Sequence, residues 1–80
     1  MVDIRLSEDL WSTSMAPEGV LERWRVRPAE IAVAGTTVAE VRIDDALHEA
    51  IAPASGRLTI LMGSNAVVQP GDVIGRIDPG

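Results

Sequence analysis

Hydrophobic and polar residues alternate along this chain in short runs with a period of two. Leu21, Arg23 and Arg25 alternate with Glu22, Trp24 and Val26. Val38–Ile43, Leu58–Leu61 and Val73–Ile77 are three further short apolar stretches of strand type. Glycine or proline stands in every gap: Pro17, Gly19, Pro28, Gly35, Pro53, Gly56, Gly63, Pro70, Gly71 and Pro79. Short strands broken by frequent turns predict an all-β fold, a sandwich or barrel. One segment carries a competing signal. Ala46, Leu47, Ala50 and Ile51 have helical spacing, but Pro53 and the flanking strands leave a helix little room, so Asp44–Ile51 is read as β.

The pattern occurs twice. Gly19-Val20-Leu21 is echoed by Gly56-Arg57-Leu58, and Gly35 with Val38–Val41 is echoed by Gly71 with Ile74–Ile77. The first echo is displaced by 37 residues and the second by 36, so one residue is lost between the copies. Neither copy can bury an apolar face alone, but together they can close one core. The expectation is a flattened β-barrel or sandwich of two halves, about 4–41 and 42–78, each of about four short strands and related by a pseudo-twofold axis. Residues 1–80 then form a single domain.

Composition narrows the function classes. Eighty residues bury a modest core, and with two Trp, no Phe and no Tyr it must be mostly Val, Ile, Leu and Ala. Cysteine is absent, which removes disulfides and thiolate chemistry and favours a cytoplasmic location. The start, Met1–Arg5, does not read as a signal peptide, and no run approaches the length of a membrane span. The net charge is −5, and all seven basic residues counted as Lys plus Arg are arginine. Arg23, Arg25 and Arg27 fall on one face of a strand, which is read as a solvated face; stacking aromatics and a wider basic field are missing, so no nucleic-acid partner is expected.

Candidate chemistry is sparse. Asp44, Asp45, His48 and Glu49 cluster around the only histidine. A tight turn fans such side chains onto different faces, so no metal site is expected; His48 pairing with Glu40 or Glu49 is the ordinary alternative. Ser55 and His48 lie on either side of a proline with no oxyanion site in view, and the glycines at 71 and 75 precede a strand rather than a helix. No catalytic residue is assigned, and the chain is not expected to be an enzyme on its own.

Glu40–Gly56 reads EVRIDDALHEAIAPASG. It resembles the lipoyl/biotinyl attachment domain family, more closely the lipoyl type. In that family a strand leads into an Asp-Lys-Ala turn whose lysine takes the cofactor, followed by a strand and a Pro-x-x-Gly stretch. Glu40-Val41, Asp44, Ala46 and Ala52–Gly56 match. Glu18-Gly19, Trp24, Gly35, Gly71 and Asn65–Ile74 extend the resemblance over about residues 3–78. Ala29 stands where the family prefers glycine, and the methionines that flank the lysine in biotin carriers are missing. The lysine position is Asp45. The resemblance implies a barrel-sandwich hybrid fold, with lipoyl or biotin as the family cofactor. No lysine is present to carry either, so no cofactor is expected.

The same resemblance implies protein partners, such as subunits of 2-oxo acid dehydrogenase-type complexes, and a structural or interaction role related to the carrier domain of their acyltransferase components. Glu8, Asp9, Trp11, Asp44 and Asp45 are the candidate contacts. The loop Ser7–Pro17 would lie beside the turn, with Trp11 either an exposed anchor or, as a core poor in aromatics favours, a lid on the open end of the barrel. The alternative is a barrel-sandwich module of a membrane-fusion or export adaptor, whose half-motifs resemble Ala52–Leu58 and Val68–Ile74. That module usually carries a long helical insertion between its halves. A third reading is a substituted relic that retains only its fold.

Overall fold

In the computed structural model, which describes residues 1–80, eight strands form two antiparallel four-stranded sheets. They are β1 (Val2–Arg5), β2 (Gly19–Trp24), β3 (Ile31–Ala32), β4 (Thr37–Ile43), β5 (Ala46–Ile51), β6 (Gly56–Ile60), β7 (Val67–Val68) and β8 (Val73–Asp78). One sheet runs β1-β8-β6-β3 and the other β5-β4-β2-β7. The only helical element is a 3₁₀ turn at Glu8–Trp11. The segment Ala46–Ile51 is a strand despite its helical spacing, because β4 supplies a ladder along its whole length.

The two sheets interconvert when the halves are exchanged, each taking two strands from β1–β4 and two from β5–β8. Advancing each strand of the first sheet by four places, with β8 returning to β4 and β6 to β2, gives the order of the second. The irregularities repeat as well. Between β1 and β8, Ile4 faces Gly75 and Arg5 faces Val73, skipping Ile74. Between β5 and β4, Ala50 faces Ala39 and Ile51 faces Thr37, skipping Val38. A bulge turns a strand's facing pattern by one residue, so Val38 and Ala39, like Ile74 and Gly75, are both buried. The residue lost between copies is also located. β2 carries an extra residue, Glu22, between Leu21 and Arg23, whereas β6 runs through Leu58 and Thr59 without a break. The halves exchange at Asp44-Asp45, slightly beyond the division expected near residue 41.

The core is aliphatic, as the composition requires. Leu21, Val38, Val41, Val68, Ile74 and Ile77 are fully buried, with Ile4, Leu6, Ile43 and Leu58 within 2% of it. Each such side chain contributes roughly 1.5–3 kcal/mol through removal from water. Leu21 and Leu58 occupy matching places at the centre. Leu21 donates its N–H to Ala66 and accepts from Asn65, and Leu58 donates to Glu30 and accepts from Ala29.

Those contacts require Ala29 and Asn65 to turn left-handed, with φ of 68° and 72°. Asparagine tolerates this; alanine loses roughly 1–2 kcal/mol to the clash of its Cβ with the carbonyl. The loop keeps the conformation all the same, because the Leu58 bonds hold it. Ala29→Gly is therefore expected to stabilise the protein by about 0.5–1 kcal/mol after the greater unfolded-state freedom of glycine is subtracted. A thermal melt should move up by a few degrees; a fall would show that the strain is not there.

Candidate functional site

The turn that draws attention in the sequence is a two-residue hairpin loop. Ile43 of β4 pairs with Ala46 of β5, and Asp44-Asp45 make the turn between them. Asp44 adopts φ 54°, a left-handed conformation that a short polar side chain tolerates. Asp45 has no such constraint. Both carboxylates and Ala46 are exposed, and neither aspartate has an arginine within ion-pair distance among the bridges formed.

The connection from β1 to β2 reaches this tip. Ser14 donates its Oγ–H to Asp44 Oδ2 at 2.5 Å and also accepts from the N–H of Ala16. Further back, Ser7 caps the 3₁₀ turn by accepting from Asp9 N–H at 3.2 Å. Glu8 and Asp9 point to solvent from this turn's first residues. Trp11 does not. It is 7% exposed and belongs to the core, with Cζ2 3.5 Å from where a Cβ on Gly19 would stand. Of the two places open to Trp11, lid and surface anchor, the structure takes the lid. Its Nε1–H has no hydrogen-bond partner, whereas the Trp24 indole donates to the Met62 carbonyl at 2.8 Å.

The acidic cluster around the histidine does not converge. Asp44 and Asp45 sit at the turn, Glu49 faces outward opposite Glu40, and His48 stands opposite the buried Val41 on the inner side. No three His, Asp or Glu side chains gather in a metal-holding group. The pairing expected of His48 with Glu40 or Glu49 does not form, because alternation puts both carboxylates on the opposite face of the sheet from His48, and arginines take the Glu40 carboxylate instead.

That carboxylate is the feature the sequence reading missed. Glu40 lies in the middle of the outer face of its sheet with only 3% of its side chain exposed. Arg23 Nε donates to Oε1 at 2.7 Å and Arg25 Nε to Oε2 at 2.8 Å. Arg25 Nη2 also meets Oε2 and stands 3.7 Å from Glu49. The stripe Arg23, Arg25, Arg27 is solvent-exposed as expected, but only Arg23 lies within a strand. β2 ends at Trp24, Arg23 and Arg25 close over Glu40 from two sides, and Arg27 turns to Glu30. The signal was a glutamate flanked by Ala39 and Val41 in a strand whose only other charge is Arg42.

Hydrogen bonds from Arg23 and then Arg25 hold the Glu40 carboxyl below its ordinary value of 4.5, and the Glu40 bond raises Arg23 in turn. A depressed folded-state pKa adds stability that is fully present above the ordinary value. It is lost as pH falls through the lower, folded-state one. Thermal melts from neutral to strongly acidic pH should show Glu40→Gln less stable than wild type at neutral pH. The gap should narrow once pH drops below about 4.5. A gap that stays constant would assign no stabilising role to the ionised carboxylate.

No helix is long and apolar enough to cross a membrane. Comparison with family models and with curated proteins finds no match.

Proposed function

We propose that this chain is an unmodified relative of the lipoyl carrier domain, a cytoplasmic protein-interaction module that works beside subunits of a 2-oxo acid dehydrogenase-type complex. One observation carries the reading. An exposed two-residue hairpin tip joins two exchangeable halves of a β-sandwich, and at that tip Asp45 stands between Asp44 and Ala46, where the carrier turn has its lysine. The connection Ser7–Pro17 lies beside the tip through Ser14 and Asp44, which supports a contact surface made of the tip with Glu8 and Asp9. A carrier forms an amide on a lysine amine. A carboxylate on a short arm offers no such nucleophile, so the tip presents fixed negative charge instead of a swinging arm. It acts by contact and not by transfer.

The export-adaptor alternative is not favoured. Its long helical insertion would fall between the halves, where two residues, Asp44 and Asp45, make the whole connection.

The test is an added lysine. Asp45 is exposed and free of the left-handed constraint, so Asp45→Lys is expected to fold unchanged. Co-expressed with a lipoate ligase, the variant should gain the mass of one lipoyl group by intact mass spectrometry. Wild type, co-expressed with lipoate and biotin ligases, should keep the mass of the bare chain. A wild type that gains either group, or a folded variant that the ligase refuses, would overturn the carrier-domain reading.

A further inference from the structure

The pseudo-symmetry of the halves breaks at one place. β1 and β2 are joined by residues 6–18, whereas the matching strands β5 and β6 are joined by the four residues Ala52–Ser55. Leu6 is fastened to the sheet, donating its N–H to Asp72 and accepting from Gly71. Beyond it the fastening changes character. The backbone hydrogen bonds of Ser7–Glu18 all close within the segment: Leu10 to Ser7, Ser12 to Asp9 and Ser14 to Trp11. No backbone group in this stretch pairs with a strand. The segment is a strap, attached by the side chains of Leu10, Trp11 and Ala16 and by one polar tie, Ser14 Oγ to Asp44.

Two features mark the closed strap as imperfectly seated. The Trp11 indole N–H is buried without a partner, a state that costs free energy and that solvent or a partner carbonyl would relieve. At its base the strap leaves a cleft of about 270 Å³ against β5, lined by Leu6, Leu10, Ala50 and Ile51 among others. Segments without ladder bonds to a sheet can open ahead of the body they cover.

We propose that Ser7–Glu18 opens as a unit, turning Trp11 from a lid on the sandwich into an exposed aromatic anchor beside Asp44 and Asp45. Opening breaks the Ser14–Asp44 bond, hydrates the indole N–H and leaves both sheets intact, because no ladder bond crosses the strap. What the open form binds rests on the interaction-module reading; the opening itself does not. A partner that takes the tip then draws on the open population, and closing the strap withholds the one large aromatic side chain of this loop. The closed strap is in this sense an autoinhibitory contact on the same surface.

Indole hydrogen exchange in the isolated chain, followed by NMR, tests the opening without any partner. The Trp11 and Trp24 N–H groups serve as reporter and control, since Trp24 is hydrogen-bonded to the Met62 carbonyl, outside the strap. Trp11 is expected to exchange at least about tenfold faster than the slowest amides of β4, with little dependence on low urea, as a local opening requires. Ser14→Ala, which removes the tie, should accelerate Trp11 exchange roughly fivefold and leave the Trp24 rate where it was. Exchange of Trp11 in step with the β4 amides, at a rate set by global unfolding and insensitive to Ser14→Ala, would overturn the proposal. Loss of both indole signals' protection together would do the same, because it would mean that the sheets open with the strap. Neither result bears on whether Asp45→Lys is lipoylated.

Discussion

Leu21→Ala is expected to remove about 2–5 kcal/mol of stability, the cost of the lost apolar contact together with the cavity left behind. Leu21 has no exposed surface, and both of its backbone groups are tied to the loop at Asn65 and Ala66, so the surroundings cannot collapse inward to fill the space. A domain of this length is held by roughly 4–12 kcal/mol in total. One truncation therefore takes a large share, and the variant should melt near or below the working range. Leu58→Ala is expected to cost the same within about 1 kcal/mol, a margin ordinary for matched sites in different surroundings, because Leu58 is 1% exposed and bonded in the matching way to Ala29 and Glu30. Urea titration should show both midpoints falling with the slope unchanged. Costs that differ by several kcal/mol would mean that the two halves share a chain path without sharing a core.

The second large effect lies at Gly56. A Cβ placed there would stand 2.2 Å from the Asp78 carbonyl oxygen and 2.8 Å from Ile77 Cγ2. The first neighbour is backbone in a paired strand and cannot swing aside. Gly56→Ala is expected to cost about 3 kcal/mol, the upper part of the range for overpacking, by prising β6 from β8. The matching Gly19 is less tight, 2.8 Å from the Arg42 carbonyl oxygen and 3.0 Å from Ile43 Cγ1, so Gly19→Ala should be milder. Gly63, with nothing within 4 Å, is the control, and its alanine variant should stay within about 0.5 kcal/mol of wild type. Calorimetry on the three variants should rank them in that order. Gly56→Ala as stable as Gly63→Ala would mean that the β6–β8 contact is looser than its geometry implies.

The sandwich and its duplication were legible because they rest on features that a sequence displays directly. Glycines at 19, 35, 56 and 71 mark close approaches and turns, and Leu21 and Leu58 sit at fixed distances from them. The slip from 37 to 36 residues was visible too, but not its position. Glu22 is a bulge residue, and a bulge is defined by what lies across the ladder, not by its own identity. The two-residue strands β3 and β7 are too short for alternation to register.

The site was legible in outline only. The exposed tip at Asp44 and Asp45 follows from turn chemistry, and Trp11 as a lid follows from a core short of aromatics. The grouping of Arg23 and Arg25 on Glu40 did not follow, because strand alternation alone counts three arginines on one face. It cannot foresee that the strand ends between the first and the second. His48 failed for a related reason: residues adjacent in sequence to Glu49 look close to Glu40, yet a strand sends neighbours to opposite sides.

The adjacency of β1 and β8 can be given a covalent counterpart. Val2 lies across the ladder from Ile77, so Asp78, Pro79, Gly80 and Met1 are enough to bridge them as a second hairpin. A gene rewritten to begin at Asp45, run through Gly80 into Met1 and finish at Asp44 would encode a circular permutant with every ladder partner retained. Its new ends would lie where the tip now is, freeing Asp44 from the turn it makes.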